Sequence, residues 1–210
     1  MAIFLPKYNF VFIHIPKNGG SSIWNSLKLS GEGINITPDY AHRTIKEVET
    51  KYKVIADLYI AQVRNPYDRF YSMYHYLFEY TQKRIDNKLP LKGQPKTYWL
   101  DFMNLLCKIK FDGFVEMLLK KDDIRDFLTR FPLERGCFLR QIDYLNSSSK
   151  KKIFKLETRE VWQFFKNLNS EIKESHTKKT EYKSIQYNQR LKEIVYDYFK
   201  EDFLNFNYQR

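Results

Sequence analysis

An apolar run cut off by a proline, a lysine and two glycines constrains this chain more than any other stretch: NFVFIHIPKNGGSS, Asn9 to Ser22. Phe10 to Ile15 is short, nearly continuous and rich in β-branched and aromatic residues, which predicts a strand buried on both faces of a parallel sheet. Pro16 ends that strand. Gly19 and Gly20 permit a tight backbone turn, and Ser21-Ser22-Ile23-Trp24 reads as the start of a helix. Strand, glycine turn and helix N-terminus in this order make an anion cradle, because amide hydrogens converge there and the helix dipole favours negative charge. Lys17 adds a full positive charge beside it, so the guest is a phosphate or a sulfate. A plain turn with a solvated lysine is the bland alternative for an isolated motif of this length. The Walker A pattern GxxxxGK[ST] fits poorly, since Lys17 precedes the glycines, and the dinucleotide pattern GxGxxG is absent.

A second stretch supplies the context. Leu58 to Arg64, LYIAQVR, reads as another apolar strand, and Asn65-Pro66-Tyr67-Asp68 is a strong helix start, with Asn as cap, Pro at the first position and an acid in the first turn. Tyr67, Phe70, Tyr71, Tyr74, Leu77 and Phe78 then recur at helical spacing and mark a core face, with Ser72 well off it. Arg64 at the strand end and Ser72 two turns into the helix are thus expected over the carboxyl edge of the sheet, where open α/β sheets bind ligands. This makes a second anion site.

IPKNGGSS followed by VRNPYDRFYS resembles the paired nucleotide-binding motifs of sulfotransferases that use 3'-phosphoadenosine-5'-phosphosulfate (PAPS), specifically the carbohydrate sulfotransferase-like group typified by HIPKTGGTS and VRNPYDR. RQIDYL at Arg140 to Leu145, FKLET at Phe154 to Thr158 and the ending VYDYFKEDFLNFNY are similar to later segments of that family, so the likeness spans nearly the whole chain. Asn18 stands where threonine is common, and Asn207 where glycine is. The resemblance implies that Lys17, Asn18, Gly19, Gly20, Ser21 and Ser22 grip the 5' phosphosulfate, and that Arg64 and Ser72 hold the 3'-phosphate. It further implies a base upstream of the second motif, for which His42 is the candidate, and a basic turn near the nucleotide, for which Lys178 and Lys179 are the candidates. Lys17 and His42 are then the catalytic pair, the acceptor is a hydroxyl on a carbohydrate, and no metal is called for. The implied architecture is a three-layer α/β fold like that of the P-loop NTPases, with a central parallel sheet and a helical insertion at about 83–135.

At 210 residues with 43% hydrophobic content, the chain suits one sulfotransferase domain over 1–210. Its net charge of +11 implies attraction to polyanions without choosing among them. Nucleic acid is not expected, for want of a reading module or a dense basic helix. Cys107 and Cys137 are too few for a disulfide framework and form no CxxC, and the spacing of the four histidines suggests no metal set. The N-terminal apolar run carries His14 and lacks a small-residue cleavage site, and no stretch of about 20 apolar residues could span a bilayer. The expectation is a soluble, cytoplasmic protein that resembles the catalytic domain of membrane-anchored relatives, or a soluble version of them.

The remaining segments are read in turn. Residues 31–41 are expected as a loop, then a helix over 43–52 with His42 at its entrance, where a histidine can equally be a cap or a surface residue. His14 is expected to hydrogen-bond beneath the loop, His75 to pack half-buried, and His176 to sit in a charged segment. Residues 83–96 read as a loop or lid, followed by short helices over 99–108, 111–120 and 122–130 that either shape an acceptor pocket or cap the sheet. A strand over 152–156 leads to Glu157, read as a buried or capping carboxylate. Amphipathic helices follow over 158–168 and around Leu191, Ile194, Val195 and Tyr198. Two functional alternatives stay open: a nucleotide-dependent kinase with an atypical phosphate loop, and a non-catalytic module that binds nucleotides or polyanions.

Overall fold

The structure is a computed structural model that describes residues 1–37, 42–90, 93–130 (the side chains of 128 and 130 apart), 136, 138–175 and 187–210. Five strands, β1 (Ala2–Leu5), β2 (Phe10–Ile13), β3 (Ile34–Asn35), β4 (Leu58–Val63) and β5 (Lys151–Lys155), form one sheet in the order β3-β1-β2-β4-β5. β2, β4 and β5 pair in parallel, with Phe12 opposite Ile60 and Ala61 opposite Ile153. β1 runs antiparallel to both β2 and β3. The central parallel sheet expected from the sequence is mostly parallel: among the described strands β1 alone is reversed, and β3 lies within the stretch read as loop. A short 3-10 turn at Pro6–Tyr8 lets β1 fold straight back onto β2, which a crossover helix would not allow.

Alternation along the strands sorts the core into layers. Ile3, Leu5, Phe12, Ile60 and Phe154 face α1 (Gly20–Leu29) and α7 (Glu160–Leu168), meeting Ile23, Leu27, Val161, Trp162 and Phe165. Val11, Ile13, Tyr59, Ala61 and Val63 face the other way, onto α2 (Ile45–Lys51), α6 (Gln141–Leu145) and α9 (Lys200–Asn205), against Ile45, Val48, Tyr144 and Phe206. A third, aromatic cluster is built mainly from helices. α3 (Pro66–Ile85), α4 (Lys96–Glu116), α5 (Lys121–Arg130) and α8 (Gln189–Tyr198) bury Phe70, Tyr74, Leu77, Trp99, Phe102, Phe114, Phe127 and Val195. Within the region expected as an insertion, α4 thus packs against α3.

Local chemistry sets the helix starts. Thr44 accepts from Glu47 N while the Glu47 carboxylate accepts from Thr44 N, a reciprocal capping box, and Asn65 accepts from Tyr67 N with Pro66 at the first helical position of α3. α4 is broken at Lys110, whose φ of 53° and ψ of −170° belong to a region open almost only to glycine. Lys110→Gly is expected to stabilise the protein by about 1 kcal/mol, raising Tm by roughly 2–4 °C in thermal melts.

Candidate active site

The turn from Pro16 to Gly19 joins β2 to α1, and side chains from the second motif set its backbone. Arg69 Nε donates to Pro16 O at 3.2 Å, Arg64 Nη1 to Lys17 O at 3.4 Å and Gln62 Nε2 to Asn18 O at 2.8 Å. Among the described residues no peptide bond is cis, so the N–H of each unit in the turn points opposite to its carbonyl. With three successive carbonyls drawn towards β4 and α3, the amides of Lys17, Asn18 and Gly19 face the other way and form a nest for an anion. Lys17 and Gly19 both take positive φ, 69° and 74°, to hold this shape. Gly19 is also the N-cap of α1, and no side chain there caps the helix start.

Close packing makes the two glycines obligatory. A Cβ on Gly19 would lie 2.9 Å from Gln62 Nε2, and one on Gly20 only 2.0 Å from His14 Cδ2. His14 is buried under the start of α1, as the sequence suggested, and its ring meets that of His42 edge-on at 4.6 Å. His42 is exposed, and its Nδ1 lies 2.8 Å from His14 O. Because that partner is a carbonyl, Nδ1 carries the proton, and Nε2 is the basic nitrogen of the neutral ring.

Lys17 extends over the face of Tyr76 on α3, its Nζ 4.1 Å from the ring centroid. Arg64 is half-buried at the end of β4. Nearby, burial pushes the Asp68 carboxyl up; the Arg64 guanidinium opposes this shift and Glu157 adds to it. Glu157 is exposed and not buried as expected, but it acts as a cap: it accepts from Asn65 N at 2.8 Å and from Tyr208 OH at 2.9 Å. His75 packs on Tyr71 at 4.2 Å, and burial lowers its pKa.

Lys17, Gly19, Gly20, Ser21, Ser22 and Arg64 are therefore brought to one edge of the sheet, with His42 beside the strand that leads into the loop. Asn18 sits in the same loop with its side chain turned inward: it is 1% exposed and donates to Gln62 O at 2.8 Å and Gln141 Oε1 at 2.7 Å. Any contact from Asn18 to a ligand comes from its main chain. Ser72, expected to face the ligand, is 2% exposed. Lys178, Lys179, His176 and Cys137 lie outside the described residues. Sequence reasoning missed Gln62, Arg69 and Gln141. The first carried a signal, as the only strongly polar residue inside the strand LYIAQV, with the parity that points it under the loop.

The chain belongs to the sulfotransferase family. The model of that family matches residues 1–209, essentially the whole chain. No curated protein and no solved structure matches it. Among the described residues of this sulfotransferase, no helix is long and apolar enough to cross a membrane, and no group of three or more His, Cys, Asp or Glu is placed to hold a metal ion. Gly20→Ala should force the His14 ring aside and destabilise the enzyme by about 1–3 kcal/mol, measured by denaturant titration, the usual range for overpacking a filled site.

Proposed function

We propose that this sulfotransferase takes PAPS as donor and transfers its sulfuryl group to a carbohydrate hydroxyl. The observation that carries the reading is the contact between the two motifs: Arg64 bonds the carbonyl of Lys17, so a site for one anion adjoins a site for a second. The amides of residues 17–19, the start of α1 and the Lys17 ammonium fit a 5'-phosphosulfate. Arg64 offers a forked donor to the 3'-phosphate; a contact from Ser72, 2% exposed, would require α3 to uncover its hydroxyl. Lys178 and Lys179, outside the described residues, are carried as further nucleotide contacts on the family resemblance alone. We read β2, the turn and α1 as the phosphate-binding end of a P-loop-like fold, and residues 1–210 as one domain in which 83–135 forms the helical insertion.

The chemistry follows from the positions. As the acceptor oxygen forms its bond to sulfur, His42 Nε2 takes the hydroxyl proton, a role its Nδ1–H bond to His14 O prepares. The bond from sulfur to the bridging oxygen breaks, and its electron pair leaves with the 5'-phosphate of adenosine 3',5'-bisphosphate. Lys17 swings from the Tyr76 ring to that oxygen, where it and the loop amides stabilise the developing charge. The products are a sulfate ester and the bisphosphate, with one proton released through His42.

Radiolabelled PAPS tested against a panel of glycans and phenols should label glycans; labelling of phenols alone would replace the acceptor class. Lys17→Ala should lower turnover by about 100-fold or more, the scale on which one preorganised donor acts. His42→Ala should reduce turnover by about 100- to 10,000-fold with nucleotide affinity nearly unchanged, and should remove the acid limb of the rate profile in the range where imidazoles titrate, about 6.5 when unperturbed. A His42 variant that only loses thermal stability would mean the base lies elsewhere. Magnesium-dependent ATP binding tighter than that of adenosine 3',5'-bisphosphate would instead favour a kinase.

A further inference from the structure

Gln141, the first residue of α6, is wholly buried and touches both anion-binding motifs. Its Oε1 accepts from Asn18 Nδ2 at 2.7 Å and from Arg64 N at 2.9 Å, and its Nε2 donates to Arg64 O at 2.8 Å. One amide therefore clamps the main chain of Arg64 on both sides while holding the side chain of the loop residue next to Lys17. The glutamine is itself fixed from the far end of the chain. Gln141 N donates to Asp202 Oδ2 at 2.8 Å and Ile142 N to Asp202 Oδ1 at 2.9 Å, so a buried carboxylate of α9 caps α6.

With no exposed surface, Gln141 cannot reach a ligand. What it controls is distance. A nucleotide with anions at two ends binds tightly only if the two sites stand at the matching separation, because the second contact then forms within one complex at high effective concentration. A ligand with a single anion gains nothing from that spacing. Tethers to the sheet from Gln62, Arg64 and Arg69 already fold the loop, so the glutamine amide acts on its register against the Arg64 main chain.

We propose that Gln141 is a positioning residue that sets the separation between the Lys17 loop and Arg64, and thereby the preference for a donor anionic at both ends. The proposal rests on the reading that loop and arginine bind opposite ends of one nucleotide.

The test is calorimetry of the full chain with adenosine 3',5'-bisphosphate, adenosine 5'-monophosphate and adenosine 3'-monophosphate. Gln141→Met keeps the length of the side chain and removes its hydrogen bonds. In this variant the bisphosphate should bind about 10- to 100-fold more weakly, while each monophosphate stays within about threefold of its wild-type Kd, since a misplacement near 1 Å penalises only the two-point ligand. Equal losses for all three ligands, or no loss for any, overturn the proposal. If the wild type itself does not prefer the bisphosphate, the two-site reading falls and takes the proposal with it; a preference undiminished in the variant overturns the proposal alone. Should Gln141→Met not fold, Asn18→Ala removes the loop end of the bridge, together with the bond from Asn18 Nδ2 to Gln62 O, and is expected to give the same selective loss. Failure of both variants to fold would make the bridge a plain core contact, against the proposal.

Discussion

Three hydrogen bonds to consecutive carbonyls, Pro16 O, Lys17 O and Asn18 O, decide what this protein can do. A glycine turn alone can present either its amides or its carbonyls to solvent, and only the first choice attracts an anion. Arg69, Arg64 and Gln62 make the choice by pulling the carbonyls inward, and all three belong to the strand and helix that carry the second motif. The two motifs are thus one device. The second orients the first and, in the proposed function, supplies the other half of the ligand site at Arg64.

Much of the remaining structure keeps that device in register. Asn18 and Gln62 exchange side-chain bonds for main-chain carbonyls, each at 2.8 Å, which welds the loop to β4. The end of the chain returns twice to the site, through Asp202 on α6 and through Tyr208, whose hydroxyl bonds Glu157 and so supports Asn65 at the start of α3. The Asp202 contacts are buried or nearly so, where a lost partner leaves an unpaired polar group behind, whereas those of Glu157 are exposed. Segments far apart in sequence are coupled to the site for this reason, and the reversed β1 contributes by packing β2 from the side opposite β4.

The parts of this arrangement carried by local signals were legible in the sequence. Phe10 to Pro16 announces a strand and its end; Asn65-Pro66 announces a helix; PKNGG announces the turn, and the family likeness follows from those same residues. Ser72 shows where local reasoning stops. Its offset from the apolar stripe predicts exposure, but α3 is covered on more than one face, so Arg69, Ser72, Thr81 and Arg84 are buried as well. Gln141 and Asp202 were illegible for a related reason: their partners are distant in sequence, and an isolated Gln or Asp in a helical pattern reads as surface. β3 escaped because a strand of two residues leaves too short a pattern to separate from a turn, and β1, as short as β2, lacks the glycine turn that marks the end of β2.

The central claim is that one nucleotide spans both motifs. A crystal structure of the protein with adenosine 3',5'-bisphosphate tests it most directly. The account predicts the 5'-phosphate on the amides of residues 17–22 with Lys17 moved off Tyr76, and the 3'-phosphate within about 2.7–3.2 Å of the Arg64 guanidinium. A bisphosphate bound with Arg64 untouched, or seated away from the start of α1, would contradict it.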